Sequence, residues 1–174
     1  MAESVPDHPY EATHRIGHEG FFLDVYRLLS HVLASAELAA LEDGSSQRPL
    51  AAFVTAHEKP EISRLLVSIA ASYRIKFDDG SWEHGFWLHR DASTVGTLVE
   101  NVDAPENEKA LTFREACNKI IHAQRVHFDT ASHPVTQAQF LNPMVHLYGS
   151  KAGSSWKSSL HLVQFCRAAA NVIV

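Results

Sequence analysis

Leu111-Thr112-Phe113-Arg114-Glu115-Ala116-Cys117-Asn118-Lys119-Ile120-Ile121-His122-Ala123 is the stretch on which the fold reading turns. Thr112-Phe113-Arg114-Glu115 has the S/T-x-x-E form of a capping box, in which the Thr hydroxyl and the Glu carboxylate satisfy exposed backbone N–H groups of a first helical turn. The pattern predicts a helix running to about Arg125 that buries Phe113, Ala116, Cys117 and Ile120. Arg114, Asn118 and His122 recur at four-residue steps and so stack along one side of that helix. Arg125 falls on the same side.

Outward from this helix, residues 1–19 hold Pro6, Pro9, Gly17 and three histidines without periodicity, and read as an irregular arm. After Gly20, Phe22, Val25, Tyr26, Leu29, Val32, Leu33 and Ala36 form an apolar helical stripe, ending before the turn formers Glu42-Asp43-Gly44-Ser45-Ser46. A short helix is expected at Leu50–His57. Another begins near Pro60 and carries Ile62, Leu65, Leu66, Ile69, Ala70 and Tyr73. Residues 81–110 read as a loop with one or two short strands around Thr94–Val99. Val145–Tyr148 and Trp156–Leu160 suggest a β-hairpin across a polar connection. The last helix holds Leu162, Phe165, Cys166, Ala169, Val172 and Ile173 on one face. Four amphipathic helices satisfy one another in a bundle. The expectation is one mainly α domain over 1–174, a four-helix-bundle core with a small β-hairpin and short strand insertions.

The 174-residue chain is 45% hydrophobic and 20% charged, which fits one globular domain and excludes disorder. No apolar run reaches membrane-spanning length, and Met1–His8 is unlike a signal peptide, so the expected location is the cytoplasm, away from a membrane. Cys117 and Cys166 match no disulfide or zinc spacing and read as reduced core residues. A net charge of −5 argues against a high-affinity nonspecific nucleic-acid binder, and less against an enzyme touching one or two phosphates.

The polar ladder suits phosphodiester cleavage without a metal or other cofactor. His122 can exchange a proton with a ribose 2′-hydroxyl or a leaving oxygen near neutral pH. Arg114 or Arg125 can hold phosphate oxygens, and Asn118 can orient either partner. The segment resembles the signature of the HEPN superfamily, helical-bundle proteins of bacterial toxins, antiphage systems and RNA processing. Its members carry an arginine, often followed by a polar residue such as asparagine, and a histidine four to six positions on. Seven residues separate Arg114 from His122, one more than is usual there. The resemblance implies a metal-independent endoribonuclease whose motifs meet across a homodimer, with RNA as substrate and Arg114, Asn118, His122 and Arg125 as the site.

Two other readings stand beside it. One is a non-catalytic interaction module, antitoxin-like or a scaffold, whose predicted hairpin adds a strand to a protein partner. The other is a DinB-like metal-dependent hydrolase, with His14 and His18 at ligand spacing and His31 or His57 completing a site. The sequence contains no nucleophile elbow, Walker loop or dinucleotide-binding glycine motif.

Overall fold

The computed structural model describes residues 18–42, 49–78 and 93–171. Within them the order is α1 (His18–Ala40), α2 (Pro49–Asp78), β1 (Thr94–Val99), β2 (Glu108–Thr112), α3 (Phe113–Ile121), β3 (Arg125–Ser132), β4 (Gln139–Lys151), β5 (Ser154–His161) and α4 (Leu162–Asn171). The strands form one antiparallel sheet in the order β2-β1-β5-β4-β3. The expected mainly α four-helix bundle is therefore overturned. The molecule is an α/β domain whose helices pack on a five-stranded sheet.

The chain departs from the expected helix just past Ile121. Thr112 caps α3 as its sequence predicts, with its Oγ1 accepting from the Glu115 N–H at 3.3 Å. The helix ends at Ile121, with His122 as its C-cap, rather than continuing to Arg125. The Gln124 N–H donates to the Tyr148 carbonyl at 2.8 Å, and the chain is in a strand by Arg125. Arg125-Val126-His127-Phe128 alternates with the period of two that a strand requires. Val126 and Phe128 pair with Leu147 and Val145, and Phe128 packs against the core.

The hairpin expectation captured the centre of a larger element. β4 and β5 pair from Met144↔His161 to Lys151↔Ser154. The turn is only Ala152-Gly153, both with positive φ (51° and 86°), the tight geometry whose twist matches that of the strands. Gly149 lies inside β4 rather than in the connection. Trp156, Ser158 and Leu160 of β5 point to the core with Val145 and Leu147 of β4, while the intervening residues point away.

In α1 the buried stripe is Phe21, Val25, Leu28, Val32, Ser35 and Ala39, rotated from the expected one. Tyr26 and Leu33 are 69% and 59% exposed. Leu50–His57 and the stretch after Pro60 are one helix, with Pro60 inside it. A helix-interior proline costs about 3 kcal/mol. Complete burial of Ile62, Leu65, Ile69 and Tyr73 opposes that cost. The Tyr73, Phe113 and Phe165 rings meet in sequence, edge-to-face at 4.9 Å and then tilted at 5.0 Å between centres, joining α2, α3 and α4. Ser35 Oγ accepts from the Leu141 N–H at 2.8 Å, and Thr136 Oγ1 donates to the Ala39 carbonyl at 2.7 Å, fixing α1 to the β3–β4 end of the sheet. Cys117 and Cys166 are buried thiols, and burial pushes the pKa of Cys166 up to about 12. No helix among the described residues is long and apolar enough to cross a membrane. The expected irregular arm over 1–19 is corrected at its end, where His18 and Glu19 already belong to α1, while residues 1–17 of it and 43–46 of the expected turn lie outside the described residues.

Candidate functional site on the open sheet face

The sequence-predicted residues divide between two places. Arg114 is exposed in the first turn of α3, and His122 is exposed at its other end. Eight helical steps separate them, about 12 Å along the axis. Asn118 lies between α3 and α2: its Oδ1 accepts from Arg74, and its Nδ2 donates to Glu115 Oε2 at 3.2 Å. Glu115 in turn pairs with Lys119 at 3.3 Å, and the Lys119 ammonium sits 4.5 Å from the Trp156 ring centre. Asn118 therefore belongs to a polar chain that fastens α3 to α2. Arg125 belongs elsewhere, at the start of β3 with its guanidinium 5.3 Å from the Tyr148 ring centre.

Arg125 opens onto the sheet face turned away from the helices, where register brings together residues that the sequence reading left unused. In one cross-strand row Arg125 pairs with Tyr148, and Tyr148 with Lys157. Two residues along each strand, on the same face, His127 pairs with His146 and His146 with Ser159. The His127 and His146 rings are nearly parallel, with centres 6.1 Å apart and planes 20° apart. His146 Nδ1 lies 3.0 Å from Ser159 Oγ. Arg125 and His127 are exposed on the edge strand, whereas Tyr148, His146, Lys157 and Ser159 are half-buried. Asp129, also on β3, accepts from Asn142 Nδ2 at 3.0 Å.

The electrostatics of His146 follow from these neighbours. Burial lowers its pKa below the usual imidazole value. The positive charge of Lys157 and the His127 ring act in the same direction, against the pull of Asp129. The lowered pKa favours the uncharged imidazole, the form able to accept a proton. Such an alternation was visible in Arg125–Phe128 and in Tyr148 and Lys157. The histidine pairing was not, because strand register is set by tertiary contacts.

Beside the first row lies a groove of about 720 Å³ lined by Val102, Gln124, Arg125, Tyr148, Trp156 and Lys157, among others. A second groove, about 580 Å³, runs between α1 and α2 past His31, Phe53, His57, Glu58 and Arg64. His31 and His57, weighed above as metal ligands, thus share a groove. His14 lies outside the described residues, and no group of three or more His, Cys, Asp or Glu side chains among the described residues could hold a metal ion. No protein-family model, curated protein or solved structure matches the chain.

Proposed function

We propose that this protein is a metal-independent endoribonuclease whose reacting groups stand on the open sheet face, with Arg125 retained from the sequence-predicted set. The observation that carries the reading is the pair of registered rows, Arg125–Tyr148–Lys157 beside His127–His146–Ser159. A helical bundle is not part of the proposal.

With Ser159 Oγ accepting from the Nδ1–H of His146, the Nε2 lone pair is free to take a proton. His146 removes the 2′-hydroxyl proton, and the 2′-oxygen attacks phosphorus. The P–O5′ bond breaks, and protonated His127 gives its proton to the departing 5′-oxygen. The products are a 2′,3′-cyclic phosphate and a 5′-hydroxyl. Arg125 and Lys157 offset the charge that grows on the non-bridging oxygens. Two bases of different exposure, one held neutral, provide the acid and base roles that this chemistry needs.

The test is incubation of the full chain with labelled single-stranded RNA in excess chelator. Fragments ending in cyclic phosphate are expected, and His146→Ala should lower the rate by a factor on the order of 100 or more. Intact RNA throughout the neutral pH range sinks the proposal. So does loss of cleavage in His122→Ala combined with full cleavage in His146→Ala, which would return the chemistry to the end of α3.

A non-catalytic module acting through protein contact is the second reading. Exposed Tyr26 and Leu33 on α1, with Phe53 at 64% and Val67 at 51% on α2, favour it.

A further inference from the structure

The geometry points to a nucleotide-binding subsite in the groove beside Arg125, one that holds the nucleoside next to the bond being cut and selects for a stacked base. This inference rests on the cleavage reading for its position relative to the reaction, but not for its occupancy.

The groove's size is the first argument. About 720 Å³ falls inside the range of roughly 300–1,000 Å³ found for sites that enclose small organic ligands. Its lining is the second. Tyr148 provides an aromatic face, Arg125 and Lys157 provide two cations, the Gln124 carboxamide provides both a donor and an acceptor, and the buried Trp156 forms part of the floor. A flat, polar-edged ring attached to an anion uses all three kinds of group at once. A simple phosphate leaves the Tyr148 ring idle, and an aliphatic chain leaves the cations idle.

Several contacts hold this lining in place. The Gln124 N–H bonds the Tyr148 carbonyl at 2.8 Å, and Gln124 Nε2 donates to Ser150 Oγ at 3.0 Å. The Val102 N–H donates to the Ser155 carbonyl at 2.9 Å, closing the groove's other wall. Trp156 is held between Lys119 and the backbone of Gly149. Arg125 already lies over the Tyr148 ring, so the same guanidinium can cap a base stacked there.

Position is the third argument. Arg125, Tyr148 and Lys157 each stand two residues from His127, His146 and Ser159 on the same strands. That is one pleat repeat, about 7 Å. A base in the groove therefore leaves its own phosphate beside Arg125 and Lys157 and its ribose directed toward the histidine pair.

The experiment titrates the full chain with adenosine 5′-monophosphate, ribose 5-phosphate and inorganic phosphate, following backbone and indole NMR signals. The nucleotide should shift the signals of Gln124, Tyr148 and Trp156, and should bind about tenfold or more tightly than ribose 5-phosphate. Tyr148→Leu should remove that advantage and Tyr148→Phe should keep it. Arg125→Gln should weaken all three ligands. In RNA cleavage, Tyr148→Leu should raise KM far more than it lowers kcat. Equal binding of nucleotide and ribose 5-phosphate overturns the subsite, as does unchanged nucleotide binding by a folded Tyr148→Leu protein. Nucleotide bound in the groove of a protein that never cuts RNA overturns the cleavage reading and leaves the subsite standing.

Discussion

Replacing Gly96 with alanine tests the seam on which the sheet depends. Gly96 in β1 pairs with Leu160 in β5, and this β1–β5 contact is the join between the β1–β2 hairpin and the β3–β4–β5 meander. A Cβ at position 96 would lie 1.9 Å from the Ser159 carbonyl oxygen and 3.2 Å from the Leu160 Cα. Ordinary contact begins at 3.4 Å, so the first distance is about 1.5 Å too short. The obstructing atoms are backbone, and no side-chain rotation relieves them. β1 must move away from β5. Overpacking costs about 1–3 kcal/mol, and weakening one or two ladder hydrogen bonds adds roughly 0.5–1.5 kcal/mol each. The expected loss is about 3 kcal/mol. With a urea m-value of about 2 kcal/mol/M, the unfolding midpoint falls by roughly 1.5 M. Far-UV circular dichroism in urea measures it. Gly20→Ala is the control, because nothing stands within 4 Å of its new Cβ and alanine is the better helix former. It should hold or raise the midpoint. A Gly96→Ala midpoint within about 0.25 M of the parent, at unchanged m, would refute the close approach of β1 and β5.

Gly149→Ala should cost about 1–3 kcal/mol, because its Cβ would meet Trp156 Cζ2 at 2.3 Å and the His122 carbonyl at 3.0 Å. Urea melts measure the loss, and a parental midpoint contradicts the packing. For His146 the folded pKa lies below the unfolded one, so the unfolded chain binds more protons between the two values. Its contribution to stability is present above the ordinary value of 6.5 and is lost as pH falls through that window. His146→Gln should therefore flatten the stability profile on the acid side, and an unchanged slope argues against a depressed pKa. Glu58 has the opposite sign. Burial raises its pKa despite a hydrogen bond from Ser35, so its contribution is present below the ordinary carboxyl value of about 4.5 and lost as pH rises through the folded value. Glu58→Gln should gain stability over the parent at pH 7, and that gain should vanish near pH 4. Asn118→Ala should destabilise by about 1–3 kcal/mol, since Arg74 loses a half-buried acceptor, and a neutral result would deny the α2–α3 link.

Local signals in the sequence were read correctly where one element decides its own conformation. The Thr112 cap, the start of α4 at Leu162 and the strand at Thr94–Val99 are of this kind. Assembly was misread where neighbours decide. Arg125 closes a helical polar ladder on paper, yet the edge of β4 draws it, with the residues to Ser132, into the sheet. Once β3 exists, the helices have a flat apolar surface to cover, and the bundle is no longer the way to bury their stripes. Pro60 misled in the same manner, because burial beyond it outweighs its local cost. Of the candidate site, Arg125 is named in the sequence for a place one turn after His122 on a helix, and it stands in β3 instead. Its companions His127, His146, Tyr148 and Lys157 become neighbours only through strand register.

The seating of β5 has a consequence for how the chain is made. Of the described strands it is the last to leave the ribosome, yet it fills the middle of the sheet, between β1 and β4. Until residues 154–161 emerge, the β1–β2 hairpin and the β3–β4 hairpin each present a raw margin with nothing to zip against. Completion of the sheet therefore waits for residues 154–161 and joins distant parts of the chain, a recipe for slow maturation. A nascent chain stalled before Ser154 holds two sticky borders, a substrate for chaperones rather than a partly working protein.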